Sequence, residues 1–150
     1  MNTTFLTDEQ ILQRDAFVER LLRSSAGAFD IFTVYMGERL GFYRALADGG
    51  SFTSAELASR TGTYERYVRE WLEQQTVTGI LEVEDERAEA TARRFRLPPG
   101  HAEVLVDGDS LNYLTPLARL IAGAVRPLDS MLDAYRTGGL PFCPDFVGSD

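Results

Sequence analysis

Between Thr53 and Leu97 the sequence runs through a capped short helix, a glycine turn, an amphipathic helix and two short alternating strands, a succession that leaves few folds open. Thr53-Ser54-Ala55-Glu56 is a capping box, in which the threonine hydroxyl and the glutamate carboxylate each satisfy a free backbone amide of the first turn. The helix it opens carries Ala55, Leu57 and Ala58 and ends at Thr61-Gly62. Thr63 is then the expected cap of a second helix, where Tyr64, Tyr67, Val68, Trp71 and Leu72 recur at the spacing of one helix face up to about Thr78-Gly79. Two short helices joined by a glycine-containing turn form a helix-turn-helix. Ile80 to Glu84 and Arg93 to Leu97 then alternate as strands around a charged tip, Asp85 to Glu89, and Pro98-Pro99-Gly100 stops the second strand. The expected fold is therefore mainly α with a small β-hairpin, a winged helix-turn-helix.

Additional helices flank this unit on both sides. Thr7 to Gln10 is another capping box, followed by an apolar stripe of Ile11, Phe17, Val18, Leu21 and Leu22 and an expected break at Ser24-Ser25-Ala26-Gly27. From Phe29 to Leu40 there is almost no polar face, the mark of a helix buried on all sides or packed against another chain. Gly37 and Gly41 share one side of that helix; their spacing admits a close backbone, but Gly41 is read as the helix stop. Phe42 to Leu46 adds further turns before Asp48-Gly49-Gly50. On the carboxy-terminal side, His101 to Val106 has room for a turn or two, and Thr115-Pro116 reads as a cap with proline in the first helical position. Arg126-Pro127 breaks that helix, and a last one ends before Gly138-Gly139. Residues 1–139 form the expected domain, and 140–150 read as a linker or the truncated start of a missing catalytic domain.

Charge narrows the function. The chain has 150 residues, room for one domain, and sets 15 basic residues, all arginine, against 23 acidic ones for a net charge of -8. Phosphate neutralisation needs a basic face, so nucleic acid is an unfavoured partner. The helix after Thr63 carries Arg66 and Arg69 against Glu65, Glu70 and Glu73, in i, i+4 pairs that neutralise it. Arg93, Arg94 and Arg96 are the one basic cluster and the DNA contacts of an alternative transcription-regulator reading, since wing arginines enter minor grooves. Against it stands pairing with Glu82, Glu84 and Glu86 of the same hairpin. A lone cysteine, Cys143, and a lone histidine, His101, leave no disulfide, metal cluster or histidine triad within one chain, and suit a reducing cytoplasm. No run approaches the roughly 20 apolar residues of a membrane span. No catalytic, cofactor-binding or metal-ligating residue is assigned.

The runs from Thr33 to Leu46, Ser54 to Ala58 and Tyr64 to Gln74, with Phe95-Arg96-Leu97-Pro98-Pro99-Gly100-His101-Ala102, resemble the amino-terminal region of a bacterial family of class I S-adenosylmethionine-dependent methyltransferases. Tyr67-Val68-Arg69-Glu70-Trp71-Leu72 is the most specific part. The resemblance implies a winged helix that dimerises and encloses substrate, with S-adenosylmethionine held by a Rossmann-like domain following it. The glycine-rich turn of such a cofactor domain has no counterpart here, so this chain is expected to hold no cofactor and not to act alone. Phe29, Phe32, Tyr35, Met36 and Tyr43 are the candidate substrate-lid or dimer-interface residues, and a homodimer is the expected assembly.

Overall fold

The computed structural model describes residues 6–139. Its elements are α1 (Asp8–Arg39), α2 (Phe42–Gly49), β1 (Ser51–Phe52), α3 (Ser54–Thr61), α4 (Glu65–Val77), β2 (Glu82–Val83), β3 (Phe95–Arg96), α5 (Pro99–Leu105), α6 (Thr115–Ala124) and α7 (Leu128–Thr137). The winged helix-turn-helix with helical flanks is thus present. Residues 140–150, with Cys143, lie outside the described part.

Both capping boxes form. Thr7 and Thr53 accept the amides of Gln10 and Glu56, whose side chains return to the threonine amides. Gly62, left-handed at φ 66°, closes α3, and Gly41, at φ 75°, separates α1 from α2. The core gathers Phe42, Tyr43 and Leu46 of α2, Leu57 of α3, Val68, Trp71 and Leu72 of α4, and Leu81 and Phe95 of the wing. Burying this set is the main driving force for folding the module.

Four local expectations are corrected. No break occurs at Ser24-Ser25-Ala26-Gly27: α1 runs unbroken for 32 residues, and the Ser24 and Ser25 hydroxyls donate to the carbonyls of Arg20 and Leu21 one turn back without interrupting it. Thr63 does not cap α4, because its hydroxyl lies 2.8 Å from that of Thr61; Tyr64 occupies the cap without a side-chain hydrogen bond. Thr115 is the first residue of α6, not its cap: its buried hydroxyl donates to the Leu105 carbonyl at the end of α5. The wing has a third strand, since β1 pairs antiparallel with β3 through Ser51–Arg96 and Phe52–Phe95, while β2 pairs on the other side through Glu82–Arg96 and Val83–Phe95.

The apolar half of α1 is not buried all round. α2 and α4 cover one side of it and α6 another, leaving Phe29 and Met36 exposed. Further back, residues 12–29 are all exposed, a stretch of about 27 Å. Among the described residues no helix is long and apolar enough to cross a membrane.

Candidate functional site

The joint between α1 and α4 organises the surface around it. A β-carbon on Gly37 would stand 2.4 Å from Cζ2 of Trp71 and 2.7 Å from Cε2 of Tyr43, so only glycine lets both rings reach the α1 backbone. The Trp71 ring also packs on Phe42 at 4.7 Å between centroids, and its Nε1 donates to the Thr33 carbonyl at 3.0 Å. Gln75, fully buried, donates from Nε2 to the Thr33 hydroxyl at 3.0 Å and accepts the Tyr43 hydroxyl on Oε1. Burial pushes the Tyr43 phenol far above its ordinary value, and the negative charge of Asp30 adds to the shift. Gln74 ties the two helices again by donating to Asp30 at 3.1 Å.

Beside this joint opens an apolar groove of about 570 Å³, walled by Met36 of α1 and Leu40 just after it, Phe42 of α2, and Tyr67 and Trp71 of α4 with Tyr64 just before it. Glu70 is the one charged residue of its lining. Of the candidate lid or interface residues, Phe29 and Met36 are exposed and share the outer face of α1, while Phe32 and Tyr35 are half-buried, Tyr35 near Arg119 of α6. Tyr43 does not join them, being 1% exposed in the core with its hydroxyl spent on Gln75. Tyr64 and Tyr67, 81% and 74% exposed on the groove rim, were readable only as part of an amphipathic stripe.

The wing arginines are engaged within the fold. Arg93 pairs with Glu73 of α4 at 2.7 Å, Arg94 with Glu56 of α3 at 3.0 Å, and Arg96 with Glu82 of its own hairpin. Arg94 also donates to the Ser51 carbonyl at 2.7 Å, which fastens β1 to the wing. Only one of the three thus pairs inside its own hairpin as expected; helices α3 and α4 supply the other two carboxylates. On α4 the Glu65–Arg69 pair forms at 3.7 Å, while Glu73 goes to Arg93 in place of Arg69. The His101 Nδ1 lies 2.9 Å from the Ile80 carbonyl and joins α5 to the turn after α4. Among the described residues no group of three His, Cys, Asp or Glu is placed to hold a metal ion.

Several solved structures similar to this fold are methyltransferases. Human N-acetylserotonin methyltransferase in complex with SAM matches 92% of this chain and 37% of its own, at 17% identity and a TM-score of 0.64. The N,N-8-amino-8-demethyl-D-riboflavin dimethyltransferase RosA of Streptomyces davawensis matches 81% and 34%, at 21% identity and a TM-score of 0.65. The mitomycin 7-O-methyltransferase MmcR matches 87% and 37%, at 22% identity and a TM-score of 0.63. The chain therefore spans only about a third of each, and at these identities the likeness is one of fold. Comparison with curated proteins returns no match. The model of the Rv2258c-like winged HTH domain matches residues 27–107, more than half of the sequence and the whole stretch from the apolar end of α1 through α5; the chain belongs to that family.

Proposed function

We propose that this chain is the dimerising and substrate-enclosing winged-helix part of an S-adenosylmethionine-dependent methyltransferase, with residues 140–150 leading toward a separate catalytic domain. The observation that carries the reading is the uncovered apolar stripe of α1. Leu22, Phe29 and Met36 are 66%, 68% and 45% exposed and recur at seven-residue intervals, the repeat that lets two helices supercoil around each other. Leu120, Leu128 and Leu132 of α6 and α7, all more than half exposed, add further uncovered apolar surface. Met36 belongs both to that stripe and to the groove lining, a position suited to closing over a substrate held elsewhere.

The described residues do not fit S-adenosylmethionine itself. That cofactor needs a glycine-rich turn between a strand and a helix, with an acidic residue closing the following strand. The strands described here are two residues long and antiparallel, and β1 enters α3 through Thr53-Ser54 with no glycine. The methyl donor is therefore assigned to the other domain, and no transfer step to this chain.

Sedimentation equilibrium tests the pairing. The assembly should weigh about twice 16.7 kDa, and Leu22→Glu with Phe29→Glu should return it to a monomer with unchanged helical content. A monomeric parent protein would overturn the reading.

A further inference from the structure

From the groove between α1 and α4 we infer a binding site for a small aromatic or alkyl cation, an organic ammonium with an apolar body. The inference does not depend on pairing of two copies. The groove, at about 570 Å³, is of the size that takes a small organic molecule, and its walls are aromatic, aliphatic and thioether. The polar groups deepest in it are already satisfied by the protein. Trp71 Nε1 is spent on the Thr33 carbonyl, the Gln74 amide on Asp30 and Gln75, and Thr63 on Thr61. A ligand buried there thus meets no free hydrogen-bonding group on the floor, which favours an apolar body.

What remains unspent is negative. Glu70, on the groove wall, forms no ion pair among the described residues; Arg69, its neighbour on α4, turns to Glu65, and Arg66, one turn before it, makes no bridge to it. Asp30 lies next to the same end and accepts only an uncharged amide, that of Gln74. No arginine lines the groove, in a chain with a net charge of -8. Tyr64 and Tyr67 rise at the rim, Tyr67 within one turn of Glu70 and Tyr64 at the cap before it, both exposed and free to turn ring faces toward a guest. Aromatic faces attract an ammonium through their quadrupole, and a carboxylate beside them adds direct charge attraction. An anionic guest meets repulsion, and a neutral one can gain from Glu70 at most a hydrogen bond, which a glutamine oxygen would also accept, and none of the charge attraction.

Trp71 is the sole tryptophan of the chain and forms part of the wall, so its emission reports occupancy. Three probes sharing one ring separate the terms: benzyltrimethylammonium, benzyl alcohol and benzenesulfonate, titrated into the full chain with excitation at the red edge of tryptophan absorption. The cation should saturate the signal with an affinity about tenfold above that of the alcohol, and the sulfonate should give no saturable change. Glu70→Gln, a surface change, should bring the cation down to the level of the alcohol and leave the alcohol unchanged; Tyr67→Ala should weaken the cation further. Equal binding of all three probes, no saturation by the cation, or a preference that survives Glu70→Gln would overturn the assignment.

Discussion

Gly37 and Trp71 meet more closely than any side chain on the former would permit, since a β-carbon there would overlap Cζ2 of the indole. Alanine at 37 improves helix propensity by about 1 kcal/mol but forces the indole or the whole of α4 to shift. Overpacking at a buried joint costs about 1–3 kcal/mol, so Gly37→Ala should lower stability on balance. Urea denaturation followed by circular dichroism measures it; a variant as stable as the parent protein would mean that the ring gives way freely.

Tyr43 supplies a prediction with a pH sign. Its folded-state phenol titrates well above the free value of 10.0, so the folded state keeps its proton when the unfolded chain loses it. The contribution is whole below pH 10 and falls above it, by about 1.4 kcal/mol per pH unit. Tyr43→Phe removes this group and leaves Gln75 Oε1 without its donor, a loss of about 1–2 kcal/mol at neutral pH. The gap in stability between the parent protein and Tyr43→Phe should therefore narrow between pH 10 and 11.5, as read by chemical denaturation at each pH.

The wing makes opposite predictions for folding and for DNA. Arg94→Ala removes the donor of the Ser51 carbonyl and the partner of Glu56, and should lower stability by about 1 kcal/mol. A mobility-shift assay with random duplex at low salt should be blank for the parent protein. A shift that Arg93→Ala, Arg94→Ala and Arg96→Ala abolish together would restore the regulator reading.

Glu56 works at both ends of its carboxylate. The Thr53 amide, and after it Arg94, hold its pKa below the usual range. That stabilisation is present above pH 4.5 and is lost as the pH falls through the lowered folded value. Thr53→Ala should cost about 1 kcal/mol through the lost cap, measurable as a lower urea midpoint. The same variant should shorten α3 from its first turn, visible in the amide shifts of Ser54 to Leu57.

Local chemistry made the helix-turn-helix legible. Thr53 with Glu56, Gly62 and the Val68-Trp71-Leu72 face each act within one or two turns, and the structure repeats them. What escaped depends on contacts distant in the chain. Two residues, Ser51 and Phe52, carry no strand signal of their own and become β1 only because β3, over forty residues on, offers a free edge. Glu73 and Glu56 took Arg93 and Arg94 from the hairpin acids because folding stacks α3 and α4 against the wing. The serines at 24 and 25 read as a break in isolation, yet their hydroxyls bond back to carbonyls of the same helix and leave it continuous. The groove was hidden for the same reason: its walls come from three helices, and Tyr64 and Tyr67 looked like any other amphipathic face.

The bare stretch of α1 over residues 12–29 also sets a clock. A helix segment with no tertiary cover holds its backbone bonds by propensity alone, and such segments open readily. In a lone copy, amide protons there should exchange orders of magnitude faster than those at 33–37, which lie beneath Trp71 and Gln75. Any neighbour that settles on the stretch must slow that exchange, so the amides of Leu22 and Phe29 act as built-in reporters of when this domain finds company.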